Sequence, residues 1–314
     1  MSIVESTPSL FRSLWIYQRE RFPLLANGLL IAFFTVSAVL YSGYIRGGSD
    51  LPQSIELLAG YVTVLLVFLL MRFLDEFKDA EDDAKYRPYR PVPRGLISLR
   101  SIGWLAACTV AVQLQLQWLW LPGQFALLGF VYAYLLLMTF EFGAPHWLKQ
   151  HPMVYALSHM VIMPIIGLYA TGIDWAPSGR LPAGLLGLFT LLFASGLVIE
   201  IGRKIRAPVS EERGVDSYSA LYGPARAAAF WLASVFATLV LTLWLLRDAN
   251  LAAFLSAVLI AGFACCAALF VCYLQRCGTR DAQNIELMSG LWSLLVFSSV
   301  AVGAYTHPLL EVLS

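Results

Sequence analysis

Charged residues are scarce in this chain. Only 13% of its 314 residues are Asp, Glu, Lys or Arg, whereas 59% are hydrophobic and the mean hydropathy is +0.71. A soluble globular protein carries about a quarter charged residues, which cover its surface in water. The composition therefore excludes a soluble body of this size and predicts a polytopic membrane protein. The net charge of +1, without a basic run, gives no indication of a nucleic-acid partner.

Cysteine is also sparse, and its placement argues against a disulfide framework. Cys265 and Cys266 are adjacent, with no second pair and no histidine nearby, so the spacing of a cysteine-bound metal is absent too. Four of the five cysteines fall in apolar stretches, and Cys277 is the one near a polar segment. We interpret these thiols as buried apolar groups.

The N-terminus lacks the continuous apolar core of a cleaved signal peptide. Charged residues interrupt it between Arg12 and Arg21, while Trp15 and Phe22 supply apolar side chains along the same segment. This pattern is typical of an amphipathic segment lying in the membrane interface. We expect residues 1–23 to form such a segment on the cytosolic side.

Nine apolar stretches are long enough to cross a bilayer, which takes about 20 residues for about 30 Å of hydrocarbon. They lie near residues 24–45, 54–74, 101–119, 122–141, 153–172, 182–201, 225–246, 251–274 and 287–306. The sequence therefore predicts an all-α fold, a polytopic membrane protein with nine transmembrane helices around a central cavity. We expect a single domain covering residues 1–314.

Lysine and arginine are distributed unevenly between the two faces. Of the 21 Lys and Arg residues, only Arg46, Arg180 and Arg247 fall in the loops of one face. Positively charged loops stay in the cytosol, so the N-terminus is expected in the cytosol and the C-terminus outside. We place the protein in a bacterial inner (cell) membrane. The two long charged segments, residues 72–100 and 202–224, then lie on the same cytosolic face.

The first charged segment follows the second apolar stretch and has a regular spacing of acids. Asp75, Asp79 and Asp83 are four residues apart, so on a helix they share one face. A solvated helix end explains charges that point to water, but it does not require this register. Three stacked carboxylates repel each other, and a hard divalent cation such as Mg²⁺ relieves that repulsion while binding phosphate oxygens.

The same segment resembles the first signature of the UbiA superfamily of intramembrane prenyltransferases. It reads D-E-x-x-D-x-x-x-D followed by R-P-V-P-R-G, where the family has N-D-x-x-D-x-x-x-D and then R-P-x-x-x-G. Asp75 takes the place of the family's Asn, and Arg90, Pro91 and Gly95 match the following loop. The resemblance implies a single UbiA-like transmembrane domain with active-site loops at residues 72–100 and 202–224.

The second charged segment departs from the family pattern. Where relatives have a second motif, D-x-x-x-D, this chain has Glu200 and Lys204, and the stretch from Tyr218 to Gly223 resembles the segment that closes the motif. The resemblance implies that Glu200 binds metal, while Lys204 and its neighbouring arginines neutralise diphosphate directly. The alternative is that these cations only set the topology. Asp216 is a reserve ligand.

The resemblance and the charges together define the candidate residues. Those expected in catalysis are Asp75, Asp79, Asp83, Glu200 and Lys204, of which the four acids are the expected Mg²⁺ ligands. Those expected to bind substrate are Arg72, Lys78, Arg90, Lys149, His159, Arg203, Arg206 and Tyr218. A lone histidine in a span is more often bonded to a neighbouring helix than catalytic, although His159 could orient a substrate or accept a proton. Glu141 and Asn27 could line the same cavity.

These expectations combine into one functional hypothesis. The chain is expected to be a Mg²⁺-dependent enzyme that ionises an isoprenoid diphosphate in the bilayer and transfers the prenyl group to a lipophilic or aromatic acceptor. The alternative keeps the ionisation but lets the cation close on its own double bonds, as in a terpene cyclase. A non-enzymatic transporter is disfavoured, because it needs a polar path across the bilayer and the polar residues here gather at one face.

Overall fold

Helices account for all the regular secondary structure of residues 9–48 and 51–311, the part of the chain that this computed structural model describes. Side chains are described as far as residue 306. In chain order the helices are α1 Leu10–Arg21, α2 Leu24–Arg46, α3 Ser54–Lys78, α4 Ala80–Tyr86, α5 Leu99–Trp120, α6 Phe125–Thr139, α7 Pro145–Gln150, α8 Pro152–Met160, α9 Ile162–Trp175, α10 Leu185–Gly202, α11 Tyr218–Tyr222, α12 Pro224–Leu245, α13 Ala252–Arg276 and α14 Thr279–Glu311.

Nine segments of the described chain are long and apolar enough to cross a bilayer. They are α2, α3, α5, α6 with the 3-10 turn before it, α8 together with α9, α10, α12, α13 and α14 as far as Thr306. The predicted all-α fold with nine spans is therefore confirmed for these residues. The last helix begins earlier than expected, at Thr279 instead of residue 287, because its polar first two turns are helical but not apolar.

Local sequence signals set several helix ends. The backbone N–H of Gln53 donates to the Glu56 carboxylate at 2.9 Å before α3, and the Ser98 hydroxyl accepts from the first turn of α5. At the other end of α2, Gly47 takes a left-handed conformation with φ 71°, which glycine adopts without a steric penalty. These caps satisfy backbone groups that a helix end leaves without partners.

The fifth span is broken into two helices, α8 and α9, at Val161. Pro164 lies three residues beyond the break. Its ring has no N–H and clashes with the carbonyl of the residue four positions earlier, which interrupts a continuous helix at this point. The break places His159 in the last turn of α8, near the charged end of the bundle.

The spans form a closed ring of packed helices. Around the ring each helix contacts the next, in the order α2, α3, α6, α9, α10, α12, α13 and α14, and α14 contacts α2 again. The interior holds large side chains that bond across helices, since the indole N–H groups of Trp231 and Trp292 each donate to a hydroxyl at 2.8 Å. The charged ends of α3 and α10 meet at one end of this ring.

Helix α1 lies outside the spans and packs against the end of α3. Phe11 and Trp15 are exposed on its outer side, whereas Tyr17 is buried against Phe73 with ring centroids 6.0 Å apart. This arrangement suits the predicted interfacial segment, of which residues 1–8 lie outside the described residues. The helix therefore reaches the motif at the end of α3.

Candidate active site

The three aspartates of the first motif lie in three different environments. Asp75, near the end of α3, has a side chain that is 44% exposed and an Arg72 guanidinium 3.3 Å away. Asp79 lies at the junction of α3 and α4, half-buried. Burial and the neighbouring Asp75 carboxylate raise the pKa of Asp79. These two carboxylates therefore repel each other, as the spacing predicts.

Asp83 is instead neutralised by cations. Its side chain is only 2% exposed, and its two oxygens lie 2.6 Å from the guanidinium groups of Arg87 and Arg90. Arg87 follows Asp83 by one helical turn, and Arg90 comes from the R-P-V-P-R-G loop. The loop that matches the family pattern thus has a structural role, because its Arg90 side chain contacts the third aspartate, Asp83. Arg90 contacts Asp83, and the expectation that it binds substrate stays a prediction.

Glu76, in the motif's second position, is a residue that the sequence reasoning left without a role. Its carboxylate lies 2.5 Å from the Arg21 side chain of α1, and the Tyr17 hydroxyl donates to it at 3.3 Å. Burial lowers the pKa of Arg21, but the Glu76 carboxylate, with smaller contributions from Tyr17 and Asp83, raises it on balance. The pair joins helices that are far apart in sequence, so no local spacing could have indicated it.

The second charged segment is built around one buried carboxylate. The Glu200 side chain is 7% exposed, with Lys204 2.7 Å from one oxygen and Arg203 2.5 Å from the other. Glu200 therefore pairs with both cations, and its role as a Mg²⁺ ligand stays a prediction. Arg206 pairs with Glu212 at 2.9 Å, and its own backbone N–H donates to a serine of α11.

A tyrosine ring joins the two charged segments. The Lys78 ammonium, from α3, lies 4.8 Å from the Tyr155 ring centroid and donates to its hydroxyl at 2.6 Å. The Lys204 ammonium lies 5.8 Å from the same centroid and 5.7 Å from the centroid of Tyr218. The sequence reasoning missed Tyr155, although its spacing of four from His159 indicates a shared helix face.

Lys78 has two further partners beside a small cavity. Its ammonium lies 3.3 Å from a Glu141 oxygen and 3.4 Å from the Nε2 atom of His159. The cavity has a volume of about 30 Å³, room for about two water molecules. Its lining combines polar and apolar side chains, namely Met71, Leu74, Asp75, Lys78, Leu135, Met138, Thr139 and His159.

The structure brings most of the predicted residues to this end of the bundle and separates a few from the cavity. Lys149 lies at the exposed rim, 3.3 Å from Asp82. Arg206 turns to Glu212, as described above. Asn27 begins the first span, near the Tyr61 hydroxyl that donates to the carbonyl of Gly28. Arg72, Lys78, Lys204, Arg203 and His159 share the region around Asp75 and Tyr155.

The carboxylates fit a Mg²⁺ ion that arrives with a phosphate group. Among the described residues, no three His, Cys, Asp or Glu side chains are grouped closely enough to enclose a metal ion. Mg²⁺ usually takes one or two carboxylates from the protein and completes its six ligands with phosphate oxygens and water. Asp75 and Asp79, whose carboxylates repel each other, offer that partial set.

The comparison with protein families agrees with this geometry. The model of the UbiA prenyltransferase family matches residues 31–295, which cover both charged segments, seven whole spans and most of the first and last spans. The chain therefore belongs to the UbiA prenyltransferase family. With nine apolar helices in the part of the chain that the structure describes, it is an integral multi-pass membrane protein. No curated protein sequence matches it.

Solved structures show the same fold at low sequence identity. A digeranylgeranylglyceryl phosphate synthase described in membranes is 15% identical, with a TM-score of 0.57 over 90% of this chain and 98% of that one. A UbiA homologue from Archaeoglobus fulgidus, bound to DMAPP and Mg²⁺, is 13% identical, with a TM-score of 0.52 over 88% of this chain and 99% of that one. These likenesses establish the UbiA fold.

Proposed function

We propose that the chain is a Mg²⁺-dependent intramembrane prenyltransferase, which ionises an isoprenoid diphosphate and transfers the prenyl group to an acceptor. The observation that carries this proposal is the meeting of the two charged segments on the Tyr155 ring, at one end of a bundle of apolar helices. A substrate with a charged head and a long apolar tail matches such a site. Met71, Leu74, Leu135 and Met138 give the adjoining cavity an apolar wall for the tail.

The diphosphate would bind to the cations around Asp75. Arg203 keeps 41% of its side chain exposed and Lys204 33%, although both also contact Glu200. A guanidinium carries five N–H donors and an ammonium three, so each retains donors for phosphate oxygens. Arg72, one turn before Asp75, adds a third cation. These groups stabilise the negative charge that collects on the leaving diphosphate.

Asp75 and Asp79 would hold the Mg²⁺ ion against the diphosphate oxygens. The chemistry that Mg²⁺ supplies in such sites is Lewis-acid neutralisation of the leaving group. The homologue bound to DMAPP and Mg²⁺ supports this choice of donor and metal for the family fold. The chain's own contribution is to orient the head group and to hold the acceptor next to the allylic carbon.

The cavity must widen to admit a prenyl chain, since its present volume is about 30 Å³. Met71 and Met138 line it, and methionine side chains change shape easily because they are unbranched. The lipid bilayer would supply the donor and a lipophilic or aromatic acceptor. The neighbouring synthase makes a prenylated glyceryl phosphate, which supports an acceptor of lipid character.

The test uses purified protein in nanodiscs with Mg²⁺ and a panel of prenyl diphosphates from five to twenty carbons. Products are identified by mass spectrometry, with and without a membrane lipid extract as acceptor source. We expect donor consumption that needs Mg²⁺ and a prenylated product that needs the extract, with Asp79→Asn as the inactive control. A cyclic hydrocarbon formed without extract would identify a terpene cyclase instead. No consumption of any donor would contradict both enzyme functions.

We also propose that the charged end faces the cytosol of a bacterial cell, with the N-terminus inside. Ser98 and Val209 lie at the charged end, and Ser178 lies at the other end of the bundle. Cysteines placed at these three positions, with the native cysteines replaced, can be labelled with an impermeant reagent in intact cells. We expect label on Ser178→Cys alone, whereas label on Ser98→Cys in intact cells would reverse the orientation.

A further inference from the structure

A short left-handed turn connects α6 to α7 next to the candidate site. Glu141, Phe142 and Gly143 have φ values of 48°, 54° and 73° in succession. The left-handed region is unfavourable for a residue with a Cβ atom, and strain of this kind often occurs at functional sites. The turn has two evident results. The Glu141 carboxylate reaches Lys78, and the Phe142 ring meets His159 edge-on at 5.7 Å.

The contacts of His159 fix where its proton lies. Its Nδ1 atom is 2.8 Å from the Tyr155 carbonyl oxygen, which can only accept, so Nδ1 carries the hydrogen. Its Nε2 atom is 3.4 Å from the Lys78 ammonium, which can only donate, so Nε2 presents its lone pair. The two contacts are independent and require the same neutral tautomer. The ring is also clamped, stacked on Tyr155 with centroids 3.9 Å apart.

Each charged group described near this ring has a partner of opposite charge. Lys78 is the cation closest to it, and its charge is matched by Glu141 from the left-handed turn. Glu200, across the site, is in turn matched by Lys204 and Arg203. His159 is thus a buried, neutral and oriented imidazole, only 6% exposed, and it lines the same cavity as Asp75.

We infer that His159 is the proton acceptor of the transfer, an inference that rests on the proposed function. The allylic C–O bond of the donor breaks with its electron pair, which leaves on the diphosphate. The allylic carbon forms a bond to an oxygen or a carbon of the acceptor, and that atom loses its proton to Nε2 of His159. Lys78 and Glu141 are positioning residues, because they act through the orientation of the imidazole.

A direct test reads the nitrogen atoms of the wild-type protein in nanodiscs. The chain has four histidines, so a sample labelled with ¹⁵N only at histidine gives a simple spectrum. Loss of one set of signals in His159→Gln assigns that residue. We expect His159 at neutral pH to be neutral with the hydrogen on Nδ1. A hydrogen on Nε2, or a doubly protonated ring, would overturn the inference.

A kinetic test separates ionisation from proton removal, using geranyl diphosphate labelled with ¹⁸O at the bridging oxygen, Mg²⁺ and water as the acceptor. Migration of the label to non-bridging positions reports ionisation followed by return, and geraniol reports capture with loss of a proton. We expect His159→Gln to keep the rate of label migration within about twofold of wild type and to lower geraniol formation at least about tenfold, since general base catalysis contributes 10²–10⁴-fold.

The matched control is His151, whose Nδ1 also lies 2.8 Å from the carbonyl four residues before it and whose ring stacks on Trp147, but on the exposed surface. His151→Gln should change neither rate. A parallel fall of migration and geraniol in His159→Gln, or unchanged geraniol, would refute the role of His159 as a base. Absence of migration in wild type would refute the proposed function instead, and the nitrogen spectrum would still decide the state of His159.

Discussion

The ammonium groups of Lys78 and Lys204 lie 4.8 and 5.8 Å from the centroid of a single aromatic ring, that of Tyr155. One lysine ends the second span and the other follows the sixth. An aromatic face attracts a cation through its quadrupole, by about 0.5–2 kcal/mol depending on burial. The Tyr155 ring thus lies between two like charges, one from each charged segment.

The first prediction concerns this ring. Tyr155→Phe keeps the aromatic face and loses the hydroxyl that accepts from Lys78 at 2.6 Å, whereas Tyr155→Leu loses both. We expect Tyr155→Leu to lower the apparent Tm and to raise the donor KM by more than Tyr155→Phe does. The measurements are thermal unfolding in detergent and donor kinetics. Equal effects of the two changes would show that the ring itself does not matter, and Tyr222→Leu serves as the control for loss of a tyrosine.

The spans could be predicted from the sequence because each depends on a local property. A run of about 20 apolar residues must cross the bilayer wherever it occurs. The exception is the start of α14, where Thr279–Glu286 is helical yet polar, so hydropathy alone gives no sign of it. The charged ends of α3 and α10 were likewise predictable from position, since both spans end at the same face.

The partners within the site could be predicted only where they are close in sequence. The pair of Asp83 with Arg87 follows the i, i+4 spacing of a helix, and so does the pair of Glu200 with Lys204. The pair of Glu76 with Arg21 depends on how α1 docks on α3, which no pattern reports. Sequence reasoning therefore predicted the common face of the three aspartates. It did not predict the partners that come from other elements, such as Arg90 for Asp83 and Arg21 for Glu76.

The second prediction separates those aspartates. Asp79→Asn should abolish turnover and leave the apparent Tm unchanged or slightly higher, because the charged form is already disfavoured there and its pKa is raised. Asp75→Asn should be milder, since relatives have a neutral residue in its place.

Asp83→Asn should lose turnover and also destabilise the protein, by about 3 kcal/mol, because Arg87 and Arg90 would lose a buried partner. Turnover and thermal unfolding measured on the three variants decide this ordering. A stable Asp83→Asn protein would contradict the structural role given to Asp83.

The third prediction concerns the docking of α1. Arg21→Met and Glu76→Gln should each destabilise the protein, and the double variant should lose less than the sum, with a coupling of about 1–3 kcal/mol. The double-mutant cycle is built from the free energy of unfolding of the wild type and of each variant, measured over a series of denaturing detergent concentrations. The pair of Arg94 with Glu20 at 2.8 Å joins α1 to the loop after α4 and is far more exposed, so its coupling should stay below about 1 kcal/mol. Equal coupling energies for the two pairs would mean that burial does not strengthen the Arg21–Glu76 ion pair.

The fourth prediction concerns the second charged segment, where the chain departs from its relatives. Lys204→Ala removes a cation that contacts Glu200 and that we propose to bind the donor. Losing a hydrogen bond between charged groups costs about 1.5–3 kcal/mol, so the donor KM should rise by roughly one to two decades. Lys204→Asp should be worse, because it places a second carboxylate next to Glu200. Wild-type kinetics in Lys204→Ala would assign this lysine to membrane topology alone.

Glu200→Gln then distinguishes the two roles open to Glu200. Both of its carboxylate oxygens contact cations, at 2.7 Å from Lys204 and 2.5 Å from Arg203. If it neutralises them, the amide variant leaves their charge free for diphosphate, so the donor KM should fall or stay level while the Mg²⁺ concentration for half-maximal rate stays within about twofold. We expect this result from the contacts.

If Glu200 instead binds the metal, as the resemblance to the second motif implies, the half-maximal Mg²⁺ concentration should rise about tenfold or more, because one charged ligand is lost. Titrating Mg²⁺ at saturating donor, with Asp75→Asn as the milder variant of a proposed ligand for comparison, decides between the two.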